Sequence, residues 1–151
     1  MKPLIAIATA LLLTAIATTT ALMADTLATK ITTKTGTTDL QLESVGWECE
    51  NRNTDVRYTA TKTGNTYTIQ IEVDPPGNSK DSCTVELVYR NTGTIPIKIS
   101  TSTTYSGADS CTATPTGQLH AGDTATVTIS ISNCDGSCTC TAESTAKSWN
   151  Q

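Results

Sequence analysis

The chain has 151 residues, of which 16% are charged, and its formal net charge at pH 7 is -4. This length fits one domain, and the low charge argues against a disordered acidic or basic tail. Because no cluster of Lys and Arg is present, nucleic acid is not expected as a partner. Threonine is in large excess, at 33 residues, and its branched Cβ favours strands over helices. The composition therefore predicts an all-β protein.

The N-terminal segment 1–24 has the pattern of a secretory signal peptide. A positive charge at Lys2 precedes an almost purely aliphatic run over residues 4–17, and small residues follow up to Ala24. This order of charged, apolar and small residues is typical of cleaved export signals. A retained membrane anchor is the alternative, because the uncharged stretch 3–24 is long enough to span a bilayer. We expect cleavage after Ala24 and a secreted, extracellular protein.

The next segment, residues 25–35, has the composition of a strand and stops at Gly36. A free strand with unpaired N–H and C=O groups is a template for pairing with another chain. Adding such a strand to a neighbouring sheet is one way in which sandwich subunits build fibres. The segment can therefore be either a first strand of its own domain or a detached arm, that is, an N-terminal donor strand that makes the subunit–subunit contact. The residues on its packing face are Leu27, Thr29, Ile31 and Thr33.

Residues 36–132 alternate between apolar and polar side chains with a period of two, which predicts strands with one buried face. Turn residues such as Gly64-Asn65 and Pro75-Pro76-Gly77 separate the runs. Seven or eight short strands of this kind predict an antiparallel two-sheet sandwich. The predicted strands cover residues 40–42, 45–49, 56–60, 66–73, 83–90, 95–99 and 125–131.

The six cysteines form an even set beyond the predicted signal peptide. In an exported protein they predict up to three disulfides, whose pairing the sequence does not determine. A zinc site at Cys134, Cys138 and Cys140 with His120 is the alternative, but the spacing lacks the usual paired Cys-x2-Cys. We expect the segment 133–151 to be a Cys-rich loop and short tail of the same domain. The predicted disulfide residues are Cys49, Cys83, Cys111, Cys134, Cys138 and Cys140.

Candidate residues for catalysis are few. His120, the single histidine, lies in a predicted turn, and no nucleophile motif accompanies it. Glu48 and Glu50 share a strand face, and with the following Asn51, Asn53 and Asp55 they permit a calcium site, although a solvated strand end is the simpler interpretation. Thr-x-Thr runs permit an ice-binding face, which ordinary outward strand faces explain equally well. We therefore expect no enzyme activity, catalytic residue, metal, cofactor or small-molecule substrate.

Three stretches resemble motifs of the TasA/camelysin-type exported matrix-fibre subunits, in the order of that family. They are Thr35-Gly36-Thr37-Thr38-Asp39-Leu40-Gln41-Leu42-Glu43, the stretch from Val88 to Ile99 (VYRNTGTIPIKI), and the stretch from Leu119 to Ile129 (LHAGDTATVTI). In size and threonine content the chain is similar to the archaeal bundling pilins of that superfamily. The resemblance implies a jelly-roll-like sandwich and filaments in which each N-terminal strand enters the groove of a neighbour. The Cys-rich stretch 134–140 has no counterpart in the family pattern.

These observations predict a secreted structural subunit that polymerises by donor-strand complementation into an extracellular filament, either a bundling pilus or a biofilm matrix fibre. The partner is another copy of the chain. Low surface charge would let filaments approach, and threonine hydroxyls would then bond laterally to give bundles. Two alternatives stay open at this point. One is a type IV pilin-like subunit that keeps its hydrophobic N-terminus as a packed helix, and the other is a monomeric secreted adhesin or binding domain.

Overall fold

A computed structural model describes residues 36–150 of the chain. The predicted signal peptide (1–24) and the whole predicted donor strand (25–35), with Leu27, Thr29, Ile31 and Thr33, lie outside these residues. The described part is all-β, as predicted, and none of its elements is a helix that could span a membrane. Its strands are β1 (Leu40–Cys49), β2 (Asp55–Thr63), β3 (Thr66–Asp74), β4 (Lys80–Asn91), β5 (Ile97–Ser106), β6 (Ser110–Ala113), β7 (Thr124–Asp135) and β8 (Cys138–Ser148).

The eight strands form two four-stranded sheets, in the orders β1-β4-β7-β6 and β2-β3-β8-β5. All neighbouring strands are antiparallel, so the predicted pair of antiparallel sheets is confirmed. We call them sheet A, which contains β1, and sheet B, which contains β2. The inward faces of both sheets contribute to one hydrophobic core. The largest fully buried side chains of this core include Tyr89, Leu40, Ile69, Ile71, Leu87, Ile97, Ile129 and Ile131.

The period-two pattern explains the two faces of each sheet. In β3, the side chains of Ile69, Ile71 and Val73 are completely buried, while Gln70 and Glu72 between them are exposed. Strands β4 and β7 alternate in the same way over most of their length. Because the apolar residues recur at every second position, each of these strands contributes one side to the core. The alternation predicted from the sequence is therefore confirmed for the long strands.

The C-terminal segment differs from the prediction. Residues 133–151 were expected to form a loop and a tail, whereas β7 continues to Asp135 and β8 occupies the middle of sheet B between β3 and β5. Only the tight turn at Gly136-Ser137 separates the two strands, and Gly136 has a φ of 70° that suits glycine. The inward side chains of β8 are small or polar, so they give no strong apolar signal in the sequence. They are Cys138, Cys140, Ala142, Ser144 and Ala146.

All six cysteines form disulfides, as predicted: Cys49–Cys83, Cys111–Cys140 and Cys134–Cys138. The first joins β1 to β4 within sheet A, the second joins sheet A to sheet B, and the third crosses the β7–β8 turn. Since every thiol is used, the alternative of a zinc site at Cys134, Cys138 and Cys140 does not fit this structure. Three disulfides indicate an oxidising environment outside the cytoplasm.

Candidate assembly site: the open side of the sandwich

One lateral side of the sandwich, which we call the closed side, is formed by the outer strands β5 and β6 and by the segment 114–119. The Cys111–Cys140 disulfide crosses it, and the Thr103 hydroxyl donates a hydrogen bond of 2.7 Å to the Cys111 carbonyl. Ile97 and Leu119 exchange backbone hydrogen bonds of 3.0 and 2.8 Å. Thr116 binds both backbone groups of Ile99 through its hydroxyl. The free edge of β5 is therefore largely covered.

The opposite side, which we call the open side, is formed by β1 and β2. These strands are the outer strands of different sheets, and within residues 36–150 no third strand pairs with the free edge of either one. A free edge presents a row of backbone donors and acceptors that another strand can use. The open side thus offers two such rows, one on each sheet.

Side chains that point into the open side are incompletely covered. Trp47 is opposite the buried Val85 and Tyr58 is opposite the buried Ile71, so both aromatic rings lie on the inward faces of their strands. Nevertheless Trp47 is 47% exposed and Tyr58 is 43% exposed. Their ring centroids are 6.1 Å apart in an edge-to-face arrangement, which is a favourable aromatic geometry. The inward-facing Ala60 of β2 is exposed as well. We call the strip between the two edges the groove; the described residues leave its inward-facing apolar side chains partly exposed.

The loop 50–54 closes one end of this groove. Asp81, which is only 2% exposed, accepts hydrogen bonds from the backbone N–H of Asn51 at 3.2 Å, from the backbone N–H of Ser82 at 2.8 Å and from the Thr54 hydroxyl. Its carboxylate is thereby matched with donors, as a buried charge requires. Asp81 fixes the distance between the end of β1 and the start of β2 at this end of the groove.

An ion pair closes the other end. Lys62 points inward from β2, and its Nζ lies 2.8 Å from Asp39 Oδ1 and 5.6 Å from the centre of the Tyr67 ring. The hydrogen bond from Lys62, together with one from the Thr92 hydroxyl, holds the pKa of Asp39 below its ordinary value. An inward-pointing lysine is also one of the ways in which proteins protect a free strand edge from wrong pairing.

The chain reaches β1 through a lead-in segment, Thr37–Asp39, that is fixed against Thr92–Thr94. The N–H of Thr94 donates to the carbonyl of Thr37 at 2.9 Å, and the N–H of Thr92 donates to the carbonyl of Asp39 at 3.2 Å. A Cβ at Gly93 would lie 2.2 Å from the Thr37 oxygen, so only glycine fits at this crossing, where the lead-in segment passes over residue 93. The lead-in segment therefore prolongs the line of β1 past the end of the sheet.

Asn91 brings together the three stretches that carry the family resemblance. It pairs with Leu40 in the β1–β4 register and donates hydrogen bonds from Nδ2 to the carbonyls of Ile95, at 2.9 Å, and Leu119, at 3.0 Å. Its Oδ1 accepts a bond of 3.0 Å from the N–H of Gly93. The side chain is completely buried. Sequence reasoning did not single out Asn91, although a lone Asn at the end of an apolar strand is a signal for such a turn.

The structure also places the residues considered for other chemistry. His120 lies exposed in the turn before β7. Glu48 is an exposed residue of β1, and Glu50 follows the strand. The Asn51 side-chain oxygen accepts a hydrogen bond from the N–H of Asn53, and Asp55 pairs with Arg57. The oxygen atoms considered for calcium are thus partly used in bonds within the chain.

Comparison of the chain with known protein families, with curated proteins and with solved structures gave no significant match.

Proposed function

We propose that this protein is a secreted structural subunit with a jelly-roll-like sandwich, and that it polymerises by donor-strand complementation into an extracellular filament. In this proposal, residues 25–35 of one subunit enter the open side of the next subunit and pair with the free edges of β1 and β2. The filament is a homopolymer that acts as a bundling pilus or a biofilm matrix fibre. No catalytic step is involved.

The observation that carries the proposal is the pair of unpaired edges, β1 and β2, with exposed inward-facing aromatic rings between them. Strand β1 has ten residues and β2 has nine, and the segment 25–34 is of the same length. Both edges offer a full row of backbone groups, and the backbone groups of an added strand would satisfy them. Leu27 and Ile31, on one face of the added strand, would cover the exposed rings of Trp47 and Tyr58. Burial of this apolar surface favours the bound state.

The lead-in segment favours a neighbour over the same molecule as the recipient. The segment Thr37–Asp39 prolongs the line of β1 and is held by Thr92–Thr94. If the donor strand, which we also call the arm, packed in the groove of its own molecule, the chain would have to reverse direction within residues 35–36. An extended arm of ten residues reaches about 33 Å, which is enough to span a groove of equal length on a second subunit. The crossing over Gly93 therefore supports exchange between subunits.

The resemblance to the TasA/camelysin-type subunits supports the same function. The three resembling stretches are far apart in sequence, yet they contact one another around Asn91 in this fold. Three unrelated turn-plus-strand segments would not be expected to meet at one buried side chain.

A mixing experiment tests the proposal directly. One preparation of the mature chain carries Ile31→Cys and a second carries Ala60→Cys, and the two are mixed during assembly and treated with a short bifunctional maleimide. We expect filaments by electron microscopy and a covalent dimer that contains one chain of each kind. The matched control replaces Ala60→Cys by Thr61→Cys, whose side chain points away from the groove on the same strand, and should give little cross-linking.

Two further variants, a chain with both cysteine substitutions and a chain without the arm, give the outcomes that would contradict the proposal. A cross-link formed only within a doubly substituted chain would show that the arm fills its own groove. Normal filaments from a chain that lacks residues 25–34 would show that the arm is not the donor. Within the arm, Leu27→Asp with Ile31→Asp should abolish filaments, whereas Ala28→Asp with Thr32→Asp, on the other face, should disturb them much less.

A monomeric secreted binding domain is the second candidate, because the exposed rings of Trp47 and Tyr58 resemble the aromatic surfaces on which ligands stack. Such a protein would stay monomeric in size-exclusion chromatography at high concentration with its arm intact. Substitution of Trp47→Ala would then abolish ligand binding without any change in oligomeric state.

A further inference from the structure

The outward face of sheet B is an almost uncharged array of hydroxyl groups. The strand registers align its outward residues in four complete rows across β2, β3, β8 and β5. Twelve of the sixteen residues in these rows are Thr or Ser. The rows are Thr63-Thr66-Thr145-Ser100, Thr61-Thr68-Glu143-Ser102, Thr59-Gln70-Thr141-Thr104 and Arg57-Glu72-Thr139-Ser106.

Apart from Glu143 in the second row, the charged residues of this face lie at two diagonally opposite corners. Lys98 and Lys147 are directly opposite each other where β5 begins and β8 ends, and they form the basic corner. Asp55 and Asp74 are directly opposite each other at the far end of β2 and β3. With Glu72 and Arg57 they form the acidic corner, in which three carboxylates surround one guanidinium.

Each corner contains a pair of like charges on directly opposite residues and an excess of two charges of one sign. Like charges directly opposite each other on antiparallel strands are destabilising. Arg57 donates two hydrogen bonds to Asp55, which leaves Glu72 and Asp74 as excess negative charge. In the described part of the chain, neither Lys98 nor Lys147 makes an ion pair. The excess is therefore two positive charges at one corner and two negative charges at the other.

We propose that the outward face of sheet B docks on the same face of a second copy of this chain. A two-fold axis in the plane of the contact, crossing the strands near the middle rows, turns the two ends of the face onto each other. The basic corner of each copy then meets the acidic corner of the other. A contact that uses the same patch on both partners has to be self-complementary, and the two charged corners are.

The area of the outward face of sheet B indicates whether such a contact would hold isolated subunits or only filaments together. With strands about 4.8 Å apart and rows about 6.8 Å apart, the face covers roughly 650 Å² per copy, which is at the lower limit for stable specific interfaces. Two isolated subunits would therefore associate weakly. Subunits repeated along a filament would engage many such contacts at once and gain avidity. In this respect the inference rests on the proposed function, since it places the lateral contact between filaments.

Charge reversal tests the inference on filaments of the mature chain. Lys98→Glu with Lys147→Glu should give single filaments of normal length, because like charges across a contact oppose docking. The matched control, Lys80→Glu with Thr126→Glu and Ser130→Glu, lowers the net charge by the same four units at exposed positions of sheet A and should bundle as the wild type does. Adding Glu72→Lys and Asp74→Lys to the first variant restores opposite corners and should restore bundles. Wild-type bundles should also disperse as the salt concentration is raised.

Sedimentation velocity of the chain that lacks residues 25–35, which retains the whole core described above, separates this inference from the proposed function. Its weak dimer should dissociate at least about tenfold more readily with the two lysines reversed, and the four-charge swap should reverse the loss. Unchanged association of the lysine variant, or failure of the swap to restore it, would overturn the inference. Corner-dependent dimers in a chain whose mature form makes no filaments would instead refute the proposed function alone.

Discussion

The two disulfides that connect sheet A with sheet B should differ in their contribution to stability. Cys111–Cys140 closes 29 residues, whereas Cys134–Cys138 closes four. In the chain-entropy description, the longer closure contributes about 3.6 kcal/mol and the shorter about 1.9 kcal/mol, a difference of about 1.7 kcal/mol. All four cysteines are at least 97% buried, so replacement by alanine has a comparable packing cost at both sites.

The measurement is equilibrium urea unfolding of two variants, Cys111→Ala/Cys140→Ala and Cys134→Ala/Cys138→Ala. With a slope of about 1–3 kcal/mol per molar urea, the first variant should unfold roughly 1 M earlier than the second. Each variant is the control for the other, since both lose one buried disulfide between the sheets. Equal losses, or a larger loss for Cys134–Cys138, would refute the view that Cys111–Cys140 holds the two sheets together on the closed side.

Two further stability predictions concern buried polar groups. Asn91→Ala removes three hydrogen bonds and should cost about 2–4 kcal/mol in urea unfolding; a loss below about 0.5 kcal/mol would contradict its role. The Tyr89 hydroxyl makes no hydrogen bond in the described part of the chain, so Tyr89→Phe should change stability at pH 7 by less than about 1 kcal/mol. Burial raises the pKa of Tyr89 to about 12, and the nearby Ser144 hydroxyl offsets a little of that rise. The folded pKa of Tyr89 exceeds its unfolded pKa, which is about 10. The free energy of unfolding is therefore unaffected by this group below about pH 10 and falls by about 3 kcal/mol between pH 10 and 12. Tyr89→Phe should lack this loss, and an unchanged alkaline slope would contradict the assignment.

The long strands could be predicted from sequence because their apolar residues alternate without interruption. Ile69, Ile71 and Val73 identify β3, and Val127, Ile129 and Ile131 identify β7. The second half of β5 and the whole of β8 could not be found in this way, since Ser, Thr, Cys and Ala occupy both faces. Their position is set by pairing with neighbouring strands, which is a property of the sheet and not of the segment itself.

The groove could not be predicted from the sequence either. Trp47 and Tyr58 were both assigned to strands from their alternation, but nothing in that pattern distinguishes an inward residue in the core from an inward residue at an open edge. Likewise, Asp81 and Asn91 are buried polar residues of β4, whose other buried residues are apolar, and their roles depend on donors and acceptors supplied by distant segments. The cysteines could be recognised as a disulfide set, while their pairing required the fold.

If the chain assembles as proposed, the Cys49–Cys83 disulfide has a consequence for the timing of assembly. It lies at the end of β1, the edge strand of the groove, and bonds it covalently to β4. A chain whose thiols are still reduced holds this end of β1 by hydrogen bonds alone, those of the ladder and that from Asn51 to Asp81, so β1 can fray there and present an imperfect template. After oxidation the template is fixed along its length. Efficient polymerisation would thus require the oxidising conditions outside the cytoplasm, and chains that are still inside the cell would be poor acceptors.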